Sequence, residues 1–401
     1  MLSVEEARVR ILADLRPTPP ETVALAEAAG RVTAGPVLAR LRQPPADVSA
    51  MDGYALRAAD GALGARLTVI GTAPAGHPFA GRVGLGEAVQ IFTGSVIPEG
   101  ADGVLIQEDA ERDGNALTVR EAVTAGRHIR RAGQDFAAGD AVIPTGRRLG
   151  ARDIGLAAAA NHPWLSVHRR PRVAILATGD EIALPGEPIP RGGIVSSNAH
   201  ALAALVRAAG GEPCVLPIAA DTLDAVGAVA DAVAGQDMLV STGGASVGDY
   251  DLVIEGLKRR GLEVDFWKIA MRPGKPLVSG RLGPVAMLGL PGNPVSAIVC
   301  ATLFLLPALA RLSGLPAAPP PVSQGIAGAD LPANDARADH LRATLSTGAD
   351  GTLIATPYPV QDSAMLKRLA HADALILRAP HAPALPAGSA VSMIRLDTLG
   401  I

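Results

Sequence analysis

The sequence predicts a multidomain protein that combines an α/β domain, whose mainly parallel sheet forms three layers with its helices, with smaller β and helical domains. The 401 residues exceed what one compact core usually holds, so roughly two to four domains are expected. Strand-like and helix-like segments alternate from Arg172 onward, which favours a parallel sheet covered on both faces. Short β-like segments with Gly and Pro turns precede and follow that region and favour small β domains.

The changes in pattern give the expected domain bounds. Apolar residues at helix spacing, from Val4 to Leu15, predict an N-terminal helix over residues 3–16. A helical pattern returns over residues 141–163, so the first domain is expected to be discontinuous. The expected bounds are 1–46 with 136–170 for the helical domain, 47–135 for a small β domain, 171–314 for the α/β domain and 315–401 for a last β domain.

The α/β region has recognisable helix starts. A strand over Val173–Thr178 is followed by a helix for which Asn198 is the expected N-cap, and Asp221 is the expected N-cap of the next helix. A long apolar helix is predicted to begin at Pro294 with Asn293 as its N-cap.

Composition and charge exclude several function classes. The 36 basic and 39 acidic residues give a net charge of -3, and aromatic residues make up only 2%. A nucleic-acid partner is therefore not expected, because it would call for a basic face and stacking aromatics. Cys214 and Cys300 have apolar neighbours and favour buried thiols over a disulfide or a metal site.

Two further segments bear on localisation. Residues 1–15 are acidic and amphipathic and lack the basic start of a signal peptide. The window Val295–Leu312 is apolar but contains a proline and is near the lower length limit for a membrane span, so we expect a buried or subunit-interface helix. The sequence therefore predicts a cytoplasmic protein with no membrane partner.

Polar residues follow the predicted strands of the α/β region at the points where the strands end. Thr178–Glu181 follows the first strand, Asp221 follows the second, and Ser241–Asp251 follows the third. Because ligands bind at the carboxyl ends of parallel strands, these segments predict a site at one sheet edge, although the sequence does not give the strand order. Acids there can hold Mg²⁺, which bridges phosphate oxygens.

Three loops are candidates for binding anions. The glycines of "TGGASVGD" allow backbone N–H groups to approach a phosphate, and "LPGNPVSA" places N–H groups at a helix start. The segment "MRPGKP" carries Arg272 and Lys275 on a stiff loop, where two cations favour an oxyanion.

Each of these features also has a structural interpretation. Asp180, Glu181, Asp221, Asp249 and Asp251 are well placed to cap helices or to favour a helix dipole. Arg272 and Lys275 are also compatible with a solvated turn, and Asp52 and Thr93 with ordinary turns. Only the convergence of these residues at one edge of the sheet favours a functional site over the structural interpretation.

Seven sequence motifs together carry a family resemblance. In chain order they are "SAMDGYAL", "IFTGSVIPEGADGVLIQED", "RRAGQDF", "ATGDE", "STGGASVGDYD", "FWKIAMRPGKP" and "LGLPGNPVSA". They closely resemble the molybdopterin molybdenumtransferase family, the MoeA type also found in the E domain of gephyrin, over nearly the whole chain.

The resemblance implies an activity and an assembly. Such enzymes take adenylylated molybdopterin and molybdate, use Mg²⁺, and release AMP with molybdenum cofactor. The resemblance also implies four domains, the last of them β-barrel-like, and an elongated homodimer in which the β domain of one chain faces the α/β domain of the other. Expected partners are the adenylyltransferase that supplies the substrate and molybdoenzyme maturation factors.

The resemblance implies roles for individual residues. The implied catalytic residues are Asp52, Thr93, Asp135, Glu181, Asp251, Lys268 and Lys275. The implied Mg²⁺ ligands are Glu181, Asp221 and Asp251. The implied substrate-binding residues are Thr178, Gly243, Gly244, Ser246, Arg272, Pro273, Gly274, Pro291, Gly292, Asn293, Pro294, Arg342 and Ser363, with molybdate at Arg272, Lys275, Arg342 and Ser363.

The chain departs from the family pattern at two positions in these motifs. Arg272 stands where many members carry lysine, and Ala245 replaces a common valine. Two alternatives remain open at this point: a competence-damage-type nucleotide hydrolase that shares the α/β domain, and a gephyrin-type scaffold or cofactor-storing protein.

Overall fold

The computed structural model describes residues 1–243 and 252–399. The chain folds as two compact units. The larger unit contains Met1–Glu21, Gly30–Ala34 and Ser166–Ile401, and the smaller unit contains Thr22–Ala29 and Gly35–Leu165.

Elements are numbered in chain order. Up to residue 168 the helices are α1 Val4–Ala13 and α2 Ala151–Ala159, and the strands are β1 Pro20–Ala24, β2 Val37–Leu38, β3 Val48–Ser49, β4 Gly53–Leu56, β5 Arg66–Ala73, β6 Glu87–Ile91, β7 Gly103–Ile106, β8 Ala110–Asp113, β9 Ala116–Val119, β10 Ile129–Arg130, β11 Ala141–Ile143 and β12 Trp164–His168. The later helices are α3 Asn198–Ala208, α4 Leu223–Ala232, α5 Leu252–Lys258, α6 Pro294–Cys300, α7 Leu306–Leu312 and α8 Leu366–Ala370. The later strands are β13 Arg172–Ala177, β14 Ile182–Ala183, β15 Ile194–Val195, β16 Glu212–Val215, β17 Met238–Thr242, β18 Leu262–Trp267, β19 Met271–Arg272, β20 Val278–Leu282, β21 Val285–Leu290, β22 Val322–Ala327, β23 Ala338–Thr347, β24 Leu353–Pro357, β25 Ala374–Arg378 and β26 Ala390–Arg395.

The smaller unit is built on a six-stranded sheet in the order β7-β4-β6-β5-β9-β8. Strand β4 is buried on both faces, with Tyr54 and Leu56 in one apolar cluster and Ala55 in another. This is the side-chain alternation expected of a strand at the centre of a sheet. The predicted β domain is thus present, whereas the predicted helical stretch 141–163 contains strand β11 before the shorter helix α2.

The centre of the larger unit is a six-stranded mixed sheet in the order β16-β13-β17-β21-β20-β18. The first four strands are parallel, and β20 is antiparallel to both of its neighbours. Ile175 and Ala177 of β13 pack into the apolar cluster on one face, and Ala174 and Leu176 pack into the cluster on the other. The predicted mainly parallel, three-layer domain is confirmed, and each fully buried aliphatic side chain contributes about 1.5–3 kcal/mol to it.

The N-terminal helix belongs to the core of the larger unit. Ser3 and Glu6 form a capping box, because Ser3 N donates to Glu6 Oε2 (2.8 Å) and Glu6 N donates to Ser3 Oγ (3.2 Å). Ala7 and Ile11 are buried in the same cluster as β13, so the apolar face of α1 covers the sheet.

Two predicted helix caps were displaced by one residue. Asn198 is the first residue of α3 rather than its N-cap, which is Ser197. Thr222, not Asp221, caps α4, since its hydroxyl accepts a hydrogen bond from Ala225 N at 3.2 Å. Both shifts free a polar side chain for contacts elsewhere.

The apolar helix continues from Pro294 to Leu312 through a π-helical turn at Ala301–Leu305. Its length and composition alone would suffice to cross a membrane, but 78% of its apolar window is buried within the fold. Val295, Phe304 and Leu309 are fully buried, as expected for a core helix.

The C-terminal strands close a five-stranded barrel in the order β23-β24-β22-β26-β25, with β25 pairing back to β23. Strand β19 adds to β23 in parallel, pairing Met271 with Ala338 and Arg272 with Asp339. The predicted barrel-like domain is confirmed, and β19 attaches the "MRPGKP" segment to it.

Candidate functional site

The carboxyl ends of β13, β17 and β21 border one cavity of about 880 Å³. These three strands are neighbours in the sheet and run parallel, which places their following turns side by side. The predicted site residues on its wall are Thr178, Glu181, Asp221, Gly243, Pro291, Gly292, Asn293 and Pro294. The convergence predicted from the sequence is therefore present in the part of the chain that the structure describes.

Glycines allow the three turns to touch. A Cβ atom on Gly243, where φ is +91°, would lie 2.8 Å from the carbonyl oxygen of Thr178. A Cβ on Gly292 would lie 3.5 Å from Gly243 Cα. The Gly243 backbone thus approaches Thr178 more closely than a side chain would permit, as in loops that cradle phosphates, whereas Gly292 is in ordinary van der Waals contact with Gly243.

Thr178 offers an uncommitted hydroxyl at this edge. The residue is 3% exposed, and its Oγ1 is buried with no hydrogen-bond partner among the described residues. A buried hydroxyl without a partner costs free energy, so a ligand oxygen or a water would stabilise it.

Two of the three predicted metal-binding acids lie on the cavity wall. Glu181 and Asp221 line it, and Asp221 N donates to Asp180 Oδ1 at 3.1 Å, which joins the two acidic turns. Within residues 1–243 and 252–399, no group of three or more His, Cys, Asp or Glu side chains is close enough to hold a metal. Two carboxylates nevertheless fit Mg²⁺, because that ion is usually bound by one or two carboxylates together with substrate phosphates and water. The other predicted residues of this region, Gly244, Ser246 and Asp251, lie outside the described residues.

The start of α6 brings a distant serine to the site. Asn293 is the N-cap residue, as predicted, but its Nδ2 donates to Ser363 Oγ (3.0 Å) instead of capping the helix. Val295 N donates to the carbonyl oxygen of Ser363 at 3.1 Å. Ser363 thus lies beside the "PGNP" turn, 70 residues away in the chain.

Asn198 and Thr242 are polar cavity residues; Thr242 opens the predicted "TGGASVGD" loop, whereas Asn198 was predicted only as a helix cap. Asn198 Nδ2 donates to Thr242 Oγ1 at 2.8 Å and to the carbonyl oxygen of Gly292 at 2.7 Å. The sequence feature that could have indicated a site role for Asn198 was weak: it is an amide side chain at the start of the helix that follows the first strand of the sheet.

The "MRPGKP" loop reaches the cavity through Pro276. The loop is closed at its base, since Lys268 N donates to Leu277 O (3.1 Å) and Ile269 N donates to Lys275 O (3.0 Å). Lys268 has a φ of 94°, which is uncommon outside glycine. Lys268 and Lys275 therefore lie in one tightly closed loop.

The two cations of the loop differ in their partners. Arg272 donates from Nε to Asp339 Oδ1 (2.6 Å) and from Nη2 to Asp339 Oδ2, and its Nη1 lies 3.4 Å from Asp335 Oδ2. The hydrogen bonds to Asp339 raise the pKa of Arg272 above its ordinary value. Lys275 is exposed, and its ammonium group has no hydrogen bond or ion pair among the residues that the structure describes.

Arg342 is a buried cation whose guanidinium has no hydrogen bond to any residue that the structure describes. Its side chain is 0% exposed, and Nε, Nη1 and Nη2 all lack hydrogen bonds within the described parts of the chain. Burial lowers the pKa of the Arg342 guanidinium, and the nearby Asp362 carboxylate opposes that shift. Because an uncompensated buried charge is costly, this site favours an anionic ligand.

Two of the three predicted site residues of the smaller unit, Asp52 and Thr93, are hydrogen-bonded to each other. Thr93 donates to Asp52 Oδ1 from its backbone N (2.7 Å) and from its hydroxyl (2.8 Å). These hydrogen bonds lower the pKa of Asp52, so the carboxylate stays ionised. Asp135 contributes its backbone N to Gln43 O at 2.9 Å.

Comparisons with known proteins identify the class of protein to which this fold and this site belong. Three protein-family models match the chain in order. They are the MoeA N-terminal region (domains I and II) at residues 2–161, a probable molybdopterin-binding domain at 174–311, and the MoeA C-terminal region (domain IV) at 324–396. The class is therefore a multidomain protein built around a molybdopterin-binding type of α/β domain.

Individual relatives cover between 74% and 98% of the chain. Molybdopterin molybdenumtransferase 2 of Mycobacterium tuberculosis is 36% identical over 94% of this chain and 95% of its own length. Molybdopterin molybdenumtransferase of Nostoc sp. is 39% identical over 74% of this chain and 70% of its own. A crystal structure of the molybdopterin biosynthesis MoeA protein from Pyrococcus horikosii superposes with a TM-score of 0.87 at 29% identity, covering 98% of this chain and 99% of that one. The chain belongs to the molybdopterin molybdenumtransferase family, a family of transferases of molybdenum cofactor biosynthesis.

Proposed function

We propose that this protein inserts molybdenum into adenylylated molybdopterin, using molybdate and Mg²⁺ and releasing AMP. The observation that carries the proposal is the contact of three anion-compatible turns, at Thr178, Gly243 and Gly292, in a cavity that also presents Glu181 and Asp221. A phosphoanhydride substrate needs both kinds of group, since backbone N–H groups bind phosphate oxygens while acids hold the metal.

The residues have distinct proposed roles. Backbone N–H groups of the Gly243 and Pro291–Pro294 turns hold the pterin phosphate and dithiolene ends of the substrate. Glu181 and Asp221, with Asp251, hold Mg²⁺, which when bound neutralises charge on the phosphoanhydride oxygens. Lys275 and Lys268 stabilise the negative charge that develops as the phosphoanhydride breaks.

Molybdate is proposed to bind at the cationic side of the site. Arg342 supports this role because its three guanidinium nitrogens are buried and have no hydrogen-bond partner in residues 1–243 and 252–399. Ser363 supports it because its hydroxyl is fixed beside the start of α6. Lys275 adds an exposed cation that forms no ion pair with a carboxylate of the described part of the chain.

The assembly and the cellular context are also proposals. We expect a cytoplasmic homodimer in which Asp52, Thr93 and Asp135 of one copy complete the site of the other, as the family resemblance implies. The adenylyltransferase that supplies the substrate and molybdoenzyme maturation factors are the proposed protein partners.

The function is tested by measuring AMP release from adenylylated molybdopterin by the purified protein. We expect AMP only when molybdate and Mg²⁺ are both present, because cleavage is coupled to molybdate uptake. AMP release that is independent of molybdate would instead indicate a nucleotide hydrolase. Tight binding without release would indicate a storage or scaffold protein of the gephyrin type.

A further inference from the structure

One amide side chain connects two of the turns that form the cavity. Asn198, at the start of α3, donates from Nδ2 to Thr242 Oγ1 (2.8 Å) at the end of β17. The same nitrogen donates to the carbonyl oxygen of Gly292 (2.7 Å) in the turn after β21. These contacts join residues 44 and 94 positions apart in the chain.

The donor capacity of this amide is fully used in these contacts. An asparagine NH₂ group has two hydrogens, and each has one acceptor here. The Thr242 hydroxyl, which accepts from Asn198, is left to donate to Pro291 O at 3.4 Å. Thr242 is 3% exposed, so the Thr242 end of the network is buried, whereas Asn198 and Gly292 lie on the cavity wall.

The network links the Gly243 turn to the Gly292 turn, and the separation of these two turns matters for ligand binding. Gly243 and Gly292 are in contact, since a Cβ on Gly292 would lie at van der Waals distance from Gly243, 3.8 Å from its backbone N. Without Asn198, Gly292 O would lose this donor. The described residues would then connect the two turns through the strand pairing that ends at Thr242 and Leu290, the backbone contact and the longer Thr242 hydrogen bond. Small displacements of groups that hold a substrate lower catalytic efficiency strongly.

We propose that Asn198 is a positioning residue for the substrate phosphate: it fixes the gap between the Gly243 turn and the Pro291–Pro294 turn so that both sets of N–H groups reach one ligand. This inference rests on the proposed function. Asn198 acts through Thr242 and Gly292 rather than on the reacting atoms.

The test compares Asn198→Ala and Asn198→Asp with the unmodified protein. Asn198→Asp keeps the shape of the side chain but replaces the donor by a carboxylate, which cannot donate to Gly292 O. We expect KM for adenylylated molybdopterin to rise at least about tenfold in both variants, and more for Asn198→Asp because it adds negative charge to an anion site. The melting temperature should change little, since the residue is only half-buried. His200→Ala, an exposed position on the same helix, is the matched control and should leave KM unchanged.

A double-mutant cycle with Thr242→Val tests whether Asn198 affects KM through its hydrogen bond to Thr242. If Asn198 acts through Thr242, the two substitutions together should raise KM much less than the product of their separate effects. Unchanged KM in Asn198→Asp, or full additivity with Thr242→Val, would overturn the inference.

The test separates this inference from the proposed function. Unmodified protein that releases no AMP would refute the function. In that case the dissociation constant of adenylylated molybdopterin, measured by calorimetry, takes the place of KM. A weaker affinity in Asn198→Asp than in His200→Ala would support the positioning role, and equal affinities would refute it.

Discussion

Arg272 and Lys275 lie three residues apart in one loop, yet only Arg272 has carboxylate partners among the described residues. The Asp339 side chain is 6% exposed, so its charge needs a close counter-ion, and the planar fork of Arg272 supplies two parallel hydrogen bonds. Arg272 thus makes two hydrogen bonds to this carboxylate, where the compact ammonium group of a lysine would make one. Lys275 is left as the cation of the loop that is available to an oxyanion.

Arg272→Lys should therefore destabilise the protein more than it alters molybdate binding. A lysine keeps the charge but makes one contact where arginine makes two, and we expect a loss of about 1 kcal/mol in the free energy of unfolding. Arg395→Lys is the control, because Arg395 also donates from two nitrogens to one carboxylate, that of Asp397, which is 49% exposed. Urea unfolding of both variants measures the difference. An unchanged stability in Arg272→Lys together with a large rise in KM for molybdate would show that the fork contacts the substrate instead.

At the scale of elements, the "MRPGKP" loop packs against the apolar helix α6. Gly274 has a φ of +111°, and a Cβ there would lie 2.4 Å from Cys300 Sγ in α6. The thiol of Cys300 is fully buried and lies 3.7 Å from the carbonyl oxygen of Gly274. Burial also raises the pKa of this thiol far above its ordinary value, so it stays protonated. The loop that carries Lys275 is therefore shaped by packing against the core.

Gly274→Ala should lower the free energy of unfolding by about 2–4 kcal/mol, because backbone strain and a steric clash add. Gly283→Ala separates the two effects: its φ is +57°, but nothing lies within 4 Å of the added Cβ. We expect that control to cost about 1 kcal/mol, from strain alone. Adding Cys300→Ala to Gly274→Ala would relieve the clash but open a small cavity. Equal unfolding midpoints for Gly274→Ala and Gly283→Ala would contradict the clash.

Local features of these elements could be predicted from the sequence, but the pairings between residues distant in the chain could not. Polar residues after each strand predicted the site edge, and the adjacency of β13, β17 and β21 confirms that Thr178, Gly243 and Gly292 meet there. Asn198 was predicted to be only a helix cap, because its partners depend on the strand order, which periodicity does not give. The partner of Arg272 was missed for the same reason, since Asp339 is 67 residues away.

At the scale of the whole molecule, the residues that the resemblance assigns to one active site belong to two compact units. Asp52 and Thr93 lie in the smaller unit, and Glu181 and Asp221 lie in the larger one. The proposed homodimer accounts for this division if each active site takes its residues from both copies. The proposal therefore makes a prediction about mixtures of variants.

Asp52→Asn and Asp221→Asn should each be inactive alone and should complement each other when mixed. After random subunit exchange about half of the dimers are mixed, and each mixed dimer has one intact site of two, so AMP release should recover to about a quarter of the unmodified rate. Asp224→Asn, an exposed position in the first turn of α4 and outside the cavity wall, should be fully active and controls for the loss of an acid nearby. Sedimentation measures the dimer, and the rate of AMP release measures complementation. A dimer that exchanges subunits but never recovers activity would show that each site is built from one chain, and a monomer with full activity would exclude the shared site altogether.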